Sequence, residues 1–278
     1  MFVTSGKASL AYDVGGSPGD GADVLLIHAG VTDRRSWRPL LESLDSRRRY
    51  VSYDMRGYGE TRYEPEDHFA YDDALAVMDE VGLGRAVVVG SSTGGRAALD
   101  LTLEHAGRVA ALVLIGPAIS GEPQTGDDPE PIASMAVQLK AAEEAGDLDE
   151  VNRLEAHLWL DGPTATEGRV SGATRELFLE MNGRALAAAD PGDEPGPVDA
   201  WNRLEELAVP VLVLVGTLDL PDFQEHSRML ADRVPSARLV VLDGVAHLPH
   251  VEADPVCLRE IAGFLEISPS PYRPVPRP

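Results

Sequence analysis

This sequence holds one cysteine, few aromatic residues and few cations for its length. A lone thiol, Cys257, cannot form an internal disulfide, so no covalent framework holds the chain together. Lys and Arg number 24 against 46 Asp and Glu, a formal net charge of −22. Binding a phosphate backbone or an anionic membrane surface needs clustered basic side chains, so neither nucleic acid nor membrane is an expected partner. No apolar run reaches the roughly 20 residues of a membrane-spanning helix, and the N-terminus lacks a basic-then-apolar signal pattern. The expectation is a cytoplasmic protein acting on a small molecule, with its oligomeric state left open. A chain of 278 residues, 44% hydrophobic, can build one large unit with an inserted subdomain.

What is present is alternation. Val24 to Ile27, Ala86 to Val89, Ala111 to Ile115, Val211 to Val215 and Leu239 to Leu242 are short, continuous apolar runs. Short runs of this kind, separated by helical patterns, predict a mostly parallel twisted sheet with helices on both faces, an α/β fold. The alternation halts at Gly121 to Pro131, which is dense in Pro, Gly and acid, and resumes near residue 198. Between those points the apolar spacing is helical, through Met135, Leu139 and Ala142, then Leu148, Val151, Leu154 and Leu158, then Leu177, Met181 and Leu186. The expected organisation is a core from residues 1–119 and 198–267, a helical cap at 120–197, and a disordered tail at 268–278.

The chemistry enters at Gly90-Ser91-Ser92-Thr93-Gly94. A buried strand running into such a turn and out into a helix holds a serine on a strained corner with its hydroxyl exposed. A serine needs a base, and the base needs an orienting acid. Asp219 follows the strand ending at Val215, and His247 follows the strand ending at Leu242, so each falls just past a strand's C-terminal end. The rival acid position, Gly116-Pro117, offers no carboxylate. His250 competes with His247 as the base but reads as a packing or surface residue. The expected catalytic residues are therefore Ser92, Asp219 and His247. The backbone N–H groups of Gly30 and Thr93 are the expected donors to an oxyanion.

On these residues the chain resembles the α/β-hydrolase fold superfamily, and in particular its small, cap-bearing Ser-His-Asp esterase and lactonase-like members. The matching segments are His28-Ala29-Gly30, Tyr53 to Thr61, the turn around Ser92, Gly216 to Asp219, and Gly244 to His247. Ala29 departs from the glycine common there in the family, and Ser91 from a larger residue. The resemblance implies a hydrolase of carboxylic esters or lactones that works through an acyl-serine and calls for no metal or organic cofactor. A serine at the turn disfavours the aspartate-dependent dehalogenases and epoxide hydrolases of the same fold. Carbon–carbon or thioester hydrolysis, cofactor-free lyase or cyclase chemistry, and a ligand-binding receptor with a retained triad stay open. Candidate substrate-binding residues are His28, Trp37, Met135, His157, Trp159, Phe178 and Met181. For each a packing role competes: His28 bracing its loop, Trp37 anchoring the first core helix, and the others forming the cap's own core.

Overall fold

A computed structural model describes residues 1–267 apart from 18, 20, 45–47, 124–125 and 127–128, so the expected tail lies outside the described residues. The chain forms strands β1 (Phe2–Ser5), β2 (Ala8–Gly16), β3 (Val24–Ile27), β4 (Arg49–Tyr53), β5 (Arg62–Tyr63), β6 (Ala86–Ser91), β7 (Val109–Ile115), β8 (Val211–Gly216) and β9 (Ala237–Leu242). They make one sheet in the order β1-β2-β4-β3-β6-β7-β8-β9, with β5 paired to β2. Pairing is parallel from β4 through β9, while β1, β2 and β5 add antiparallel contacts at one side. Every residue of β3, β6, β7 and β8 is buried. Burial on both faces is why these strands read as continuous apolar runs instead of alternating ones.

Helices cover each face. On one side α2 (Ala70–Glu80) and α3 (Thr93–Glu104) pack Val77, Met78, Leu99 and Leu101 onto the sheet, joined by Leu230 of α7 (Pro221–Arg233). On the other, α1 (Arg38–Ser43) and α8 (Pro255–Ile267) contribute Leu40, Ile261 and Phe264, with Cys257 buried among them. This is the mostly parallel α/β architecture that the run pattern predicted. Some short segments are 3-10 helical. The first helix starts as a tight 3-10 turn at Arg34–Trp37, where the Asp33 side chain accepts from the Arg35 N–H. Where the alternation resumes near residue 198, the chain first forms a 3-10 segment, Ala200–Glu206. Its start is fixed from outside, because Ser120 accepts from the N–H groups of both Ala200 and Trp201.

Between β7 and β8 the chain leaves the sheet and forms α4 (Ile132–Ala145), α5 (Leu148–Glu155) and α6 (Ala173–Leu186). Gly146, at φ 68°, ends α4 in a left-handed cap, and the Asp147 carboxylate accepts from Glu150 N–H to start α5. Ala142, Val151 and Leu154 give the insert a small core of its own. After α5 the helix widens into a π-helical stretch, Ala156–Asp161. Among the described residues no helix is long and apolar enough to cross a membrane.

Candidate active site

Strand β6 delivers Ser92 to a turn that α3 leaves immediately, and Ser92 takes φ 53°, ψ −119°. A non-glycine residue held there stores about 1–3 kcal/mol of strain, which the surroundings must hold in place. They do so by contact. A Cβ on Gly90 would stand 2.3 Å from the Gly94 carbonyl oxygen, and one on Gly94 would stand 2.3 Å from that of Ile27. Strand, turn and helix can meet this closely only with glycine at both places. The Ser92 N–H donates to Ile115 O at 2.9 Å, and Ser92 O accepts from Ala118 N–H at 3.2 Å. The serine backbone is thus sewn to the turn that leaves β7.

That same turn touches the other two candidates. His247 Nδ1 lies 2.9 Å from both carboxylate oxygens of Asp219, and the two side chains are almost completely buried. A carboxylate can only accept, so Nδ1 carries the proton and a neutral ring leaves the Nε2 lone pair free. Nε2 is buried and has no hydrogen-bond partner among the described residues, Ser92 included. Gly116 stands against the pair: a Cβ there would lie 3.0 Å from both Asp219 Oδ2 and His247 Nδ1. The residues 115–118 therefore contact Ser92 on one side and the His–Asp pair on the other. Asp219 is held in turn by the N–H of Leu220 at 2.8 Å.

Gly30 is the second point of convergence. A Cβ on it would stand 2.9 Å from Thr93 Oγ1, so the loop after β3 and the first residue of α3 are neighbours. His28 supports this loop and offers nothing to a ligand. Its Nε2 accepts from Met55 N–H at 3.0 Å, its Nδ1 donates to Ala29 O at 2.7 Å, and burial holds its pKa below the usual histidine value. The reading of His28 as a substrate contact is corrected accordingly, since both ring nitrogens are spent on backbone.

Trp37 is corrected too. It is fully buried in the core beneath β3 and β4, where its ring stacks on His250 at 4.4 Å. His250 is fully buried as well, so of its two expected readings packing is the one observed and surface exposure is not. Phe178 and Met181, on α6, are buried, and Phe178 shares one buried cluster with Ala29 and Leu248, which joins insert and core. His157 turns back to the insert's own Ala165 O at 3.0 Å. Trp159 and Met135 lie nearer the chemistry. The Trp159 ring centroid is 4.8 Å from that of His247, and Met135 lines an apolar cavity that Trp159 also borders. The π-helical stretch carries Trp159; widened turns of this kind recur at functional sites because they re-aim side chains.

Several neighbours of the site carried no sequence signal. Phe223, on α7, sets its ring 4.5 Å from His247, although β8 separates it in the chain from Trp159. Arg169 of the insert makes a two-pronged ion pair to Glu252, at 2.6 and 2.8 Å, and Glu252 accepts from Ala246 N–H at 2.9 Å. That chain of contacts ties the insert to the loop bearing His247. Nothing in the one-dimensional pattern pairs residues so far apart.

A parallel sheet with a strained serine turn at its centre and a His–Asp pair at its rim defines a class of hydrolase. The model of the alpha/beta hydrolase family matches residues 24–258, and the chain belongs to that family. It is similar to a protein of Caulobacter vibrioides named a putative carbamate hydrolase, RutD, at 39% identity over 111 residues. That match covers 38% of this chain and 41% of the relative, less than half of the relative's length. A fuller match is the rhodomycin D methylesterase DauP of Streptomyces sp. strain C5, 29% identical over 92% of this chain and 94% of that protein. Among solved structures, the esterase RhEst1 from Rhodococcus sp. ECU1013 superposes with a TM-score of 0.75 at 25% identity, over 96% of this chain and 98% of the other.

Proposed function

We propose that the chain cleaves a carboxylic ester or lactone of a small-molecule substrate through an acyl-serine on Ser92. The observation that carries this is the His247–Asp219 pair, whose geometry fixes the imidazole tautomer that can take a hydroxyl proton. His247 Nε2 accepts the Ser92 proton as the oxygen attacks the carbonyl carbon. The resulting oxyanion is met by the N–H groups of Gly30 and Thr93, the latter at the positive end of the α3 dipole. Protonated His247 then hands the proton to the departing oxygen. Water, activated by the same imidazole, releases the acid. Free Nε2 and the strained Ser92 are the two halves of this arrangement, brought together when substrate excludes water from the cleft.

In this reading the insert at 120–197 is the lid, and the chemistry calls on no metal or organic cofactor. A reducing cytoplasm suits the buried Cys257, whose pKa burial raises. The test is labelling with a fluorophosphonate probe followed by turnover of short-chain aryl esters. Ser92→Ala should lose both while unfolding with the same midpoint as the native chain. Unchanged turnover in that variant would remove Ser92 from the mechanism. Labelling with no turnover of any ester, lactone or thioester would favour a receptor.

A further inference from the structure

Beside the His–Asp pair lies a cavity of about 140 Å³, bordered by α4, α5, the π-helical stretch and the loop before α7. Ile132, Met135, Leu139, Leu154, Trp159 and Leu220 are among its walls, and every lining side chain among the described residues is hydrophobic. Two of these walls also touch the chemistry. The Trp159 ring packs on His247 at 4.8 Å, and the Leu220 N–H donates to the Asp219 carboxylate at 2.8 Å. Among the described residues the walls include none of the loop at residues 28–31 and not Thr93, where the oxyanion would sit, nor Ser92, Asp219 or His247 themselves.

Ester cleavage sorts its substrate around those groups. The Ser92 oxygen bonds the acyl carbon, the carbonyl oxygen turns toward Gly30 and Thr93, and the C–O bond to the alcohol breaks. The proton taken from Ser92 by His247 ends on the departing alcohol oxygen. The alcohol portion therefore lies on the imidazole side of the acyl carbon, the side on which Trp159, a wall of this cavity, packs on His247. We infer that the cavity receives the alcohol portion of the substrate, an uncharged alkyl or aryl group of about benzene's size. An apolar cavity of about 150 Å³ takes benzene and stays dry without it, which sets the size. The absence of any charged or hydroxyl-bearing wall among the described residues disfavours a charged or sugar-like alcohol, since its groups would be stripped of water without partners. The inference rests on the acyl-serine reading and adds to it which side of the ester determines selectivity.

The test is two substrate series on the full chain, read as kcat/KM by proton release. In the first, acetate is esterified with methanol, butanol and benzyl alcohol; in the second, methyl esters run from acetate to hexanoate and phenylacetate. The alcohol series should rise about fourfold per added methylene until the cavity fills, and the acyl series should stay within a few-fold. M135W, which fills the cavity, should cut the benzyl-to-methyl ratio of kcat/KM at least tenfold. A flat alcohol series, a dependence confined to the acyl series, or an unchanged ratio in a folded M135W overturns the inference. If M135W does not fold, the wild-type series decide alone. Failure to cleave any member of either series, with Ser92 unlabelled, brings down the acyl-serine reading and this inference with it.

Discussion

Replacing His250 with phenylalanine isolates the acid sensitivity of the site's foundation. The His250 ring is fully buried and stacked on Trp37, and neither of its nitrogens has a hydrogen-bond partner among the described residues. Burial, and then the proximity of His247 and His28, push its pKa down to about 3. A histidine of unperturbed pKa near 6.5 in the unfolded chain binds its proton first as pH falls, so native stability is intact above about 6.5 and is lost toward 3. Linkage over that window gives a loss of about 2 kcal/mol at about pH 5 and about 3 kcal/mol at about pH 4, relative to neutral pH. A phenyl ring in the same place still stacks on Trp37 and cannot titrate. Urea unfolding of both proteins across this range should show their stability difference shifting by those amounts in favour of His250→Phe. The carboxylates common to both proteins cancel in that difference. Parallel curves would refute the argument, and would mean that His250 is protonated or water-exposed in the native state. The same variant should acylate at Ser92 within a few-fold of the native rate; its loss would make His250 a participant in the chemistry.

Two further outcomes follow from contacts around the same rim. Gly116→Ala places a methyl group 3.0 Å from His247 Nδ1 at a backbone φ of +47°, so kcat should fall at least tenfold with KM little changed. Steady-state kinetics on an aryl ester reads this, and a native-like kcat would detach the His–Asp pair from catalysis. Asp100 is buried and accepts from the Ser120 hydroxyl at 2.7 Å, and burial raises its pKa to about 6. A raised carboxyl pKa means the folded state holds the proton longer, so stability falls as pH rises from about 4 to 6, by about 3 kcal/mol in total. Asp100→Asn should flatten that decline in thermal unfolding; an unaltered slope would place the titration elsewhere.

The parts of this protein that local sequence dictates were legible without coordinates. Four strands buried on both faces announce themselves as unbroken apolar runs, because no face needs a polar residue. The serine turn is equally local, since glycine at positions 90 and 94 is required by backbone atoms a few residues away and by the neighbouring β3. Strand ends carry Asp219 and His247, so their order and their common rim followed from the α/β pattern.

Contacts between distant segments were not legible. That His28 spends both nitrogens on backbone, and that Trp37 and His250 stack out of reach of solvent, depends on how β3, β4 and the chain after His247 pack together. Widening of the helix at Ala156–Asp161, the placement of Phe223 and the Arg169–Glu252 tie leave no periodic trace. The sequence by itself determined the sheet, the serine turn and the chain order of Ser92, Asp219 and His247, because hydrophobic periodicity and glycine placement act over a few residues. Only the tertiary structure decided which aromatic rings enclose the imidazole and where an apolar cavity opens beside it, because burial there is set by side chains from four separate segments meeting at once.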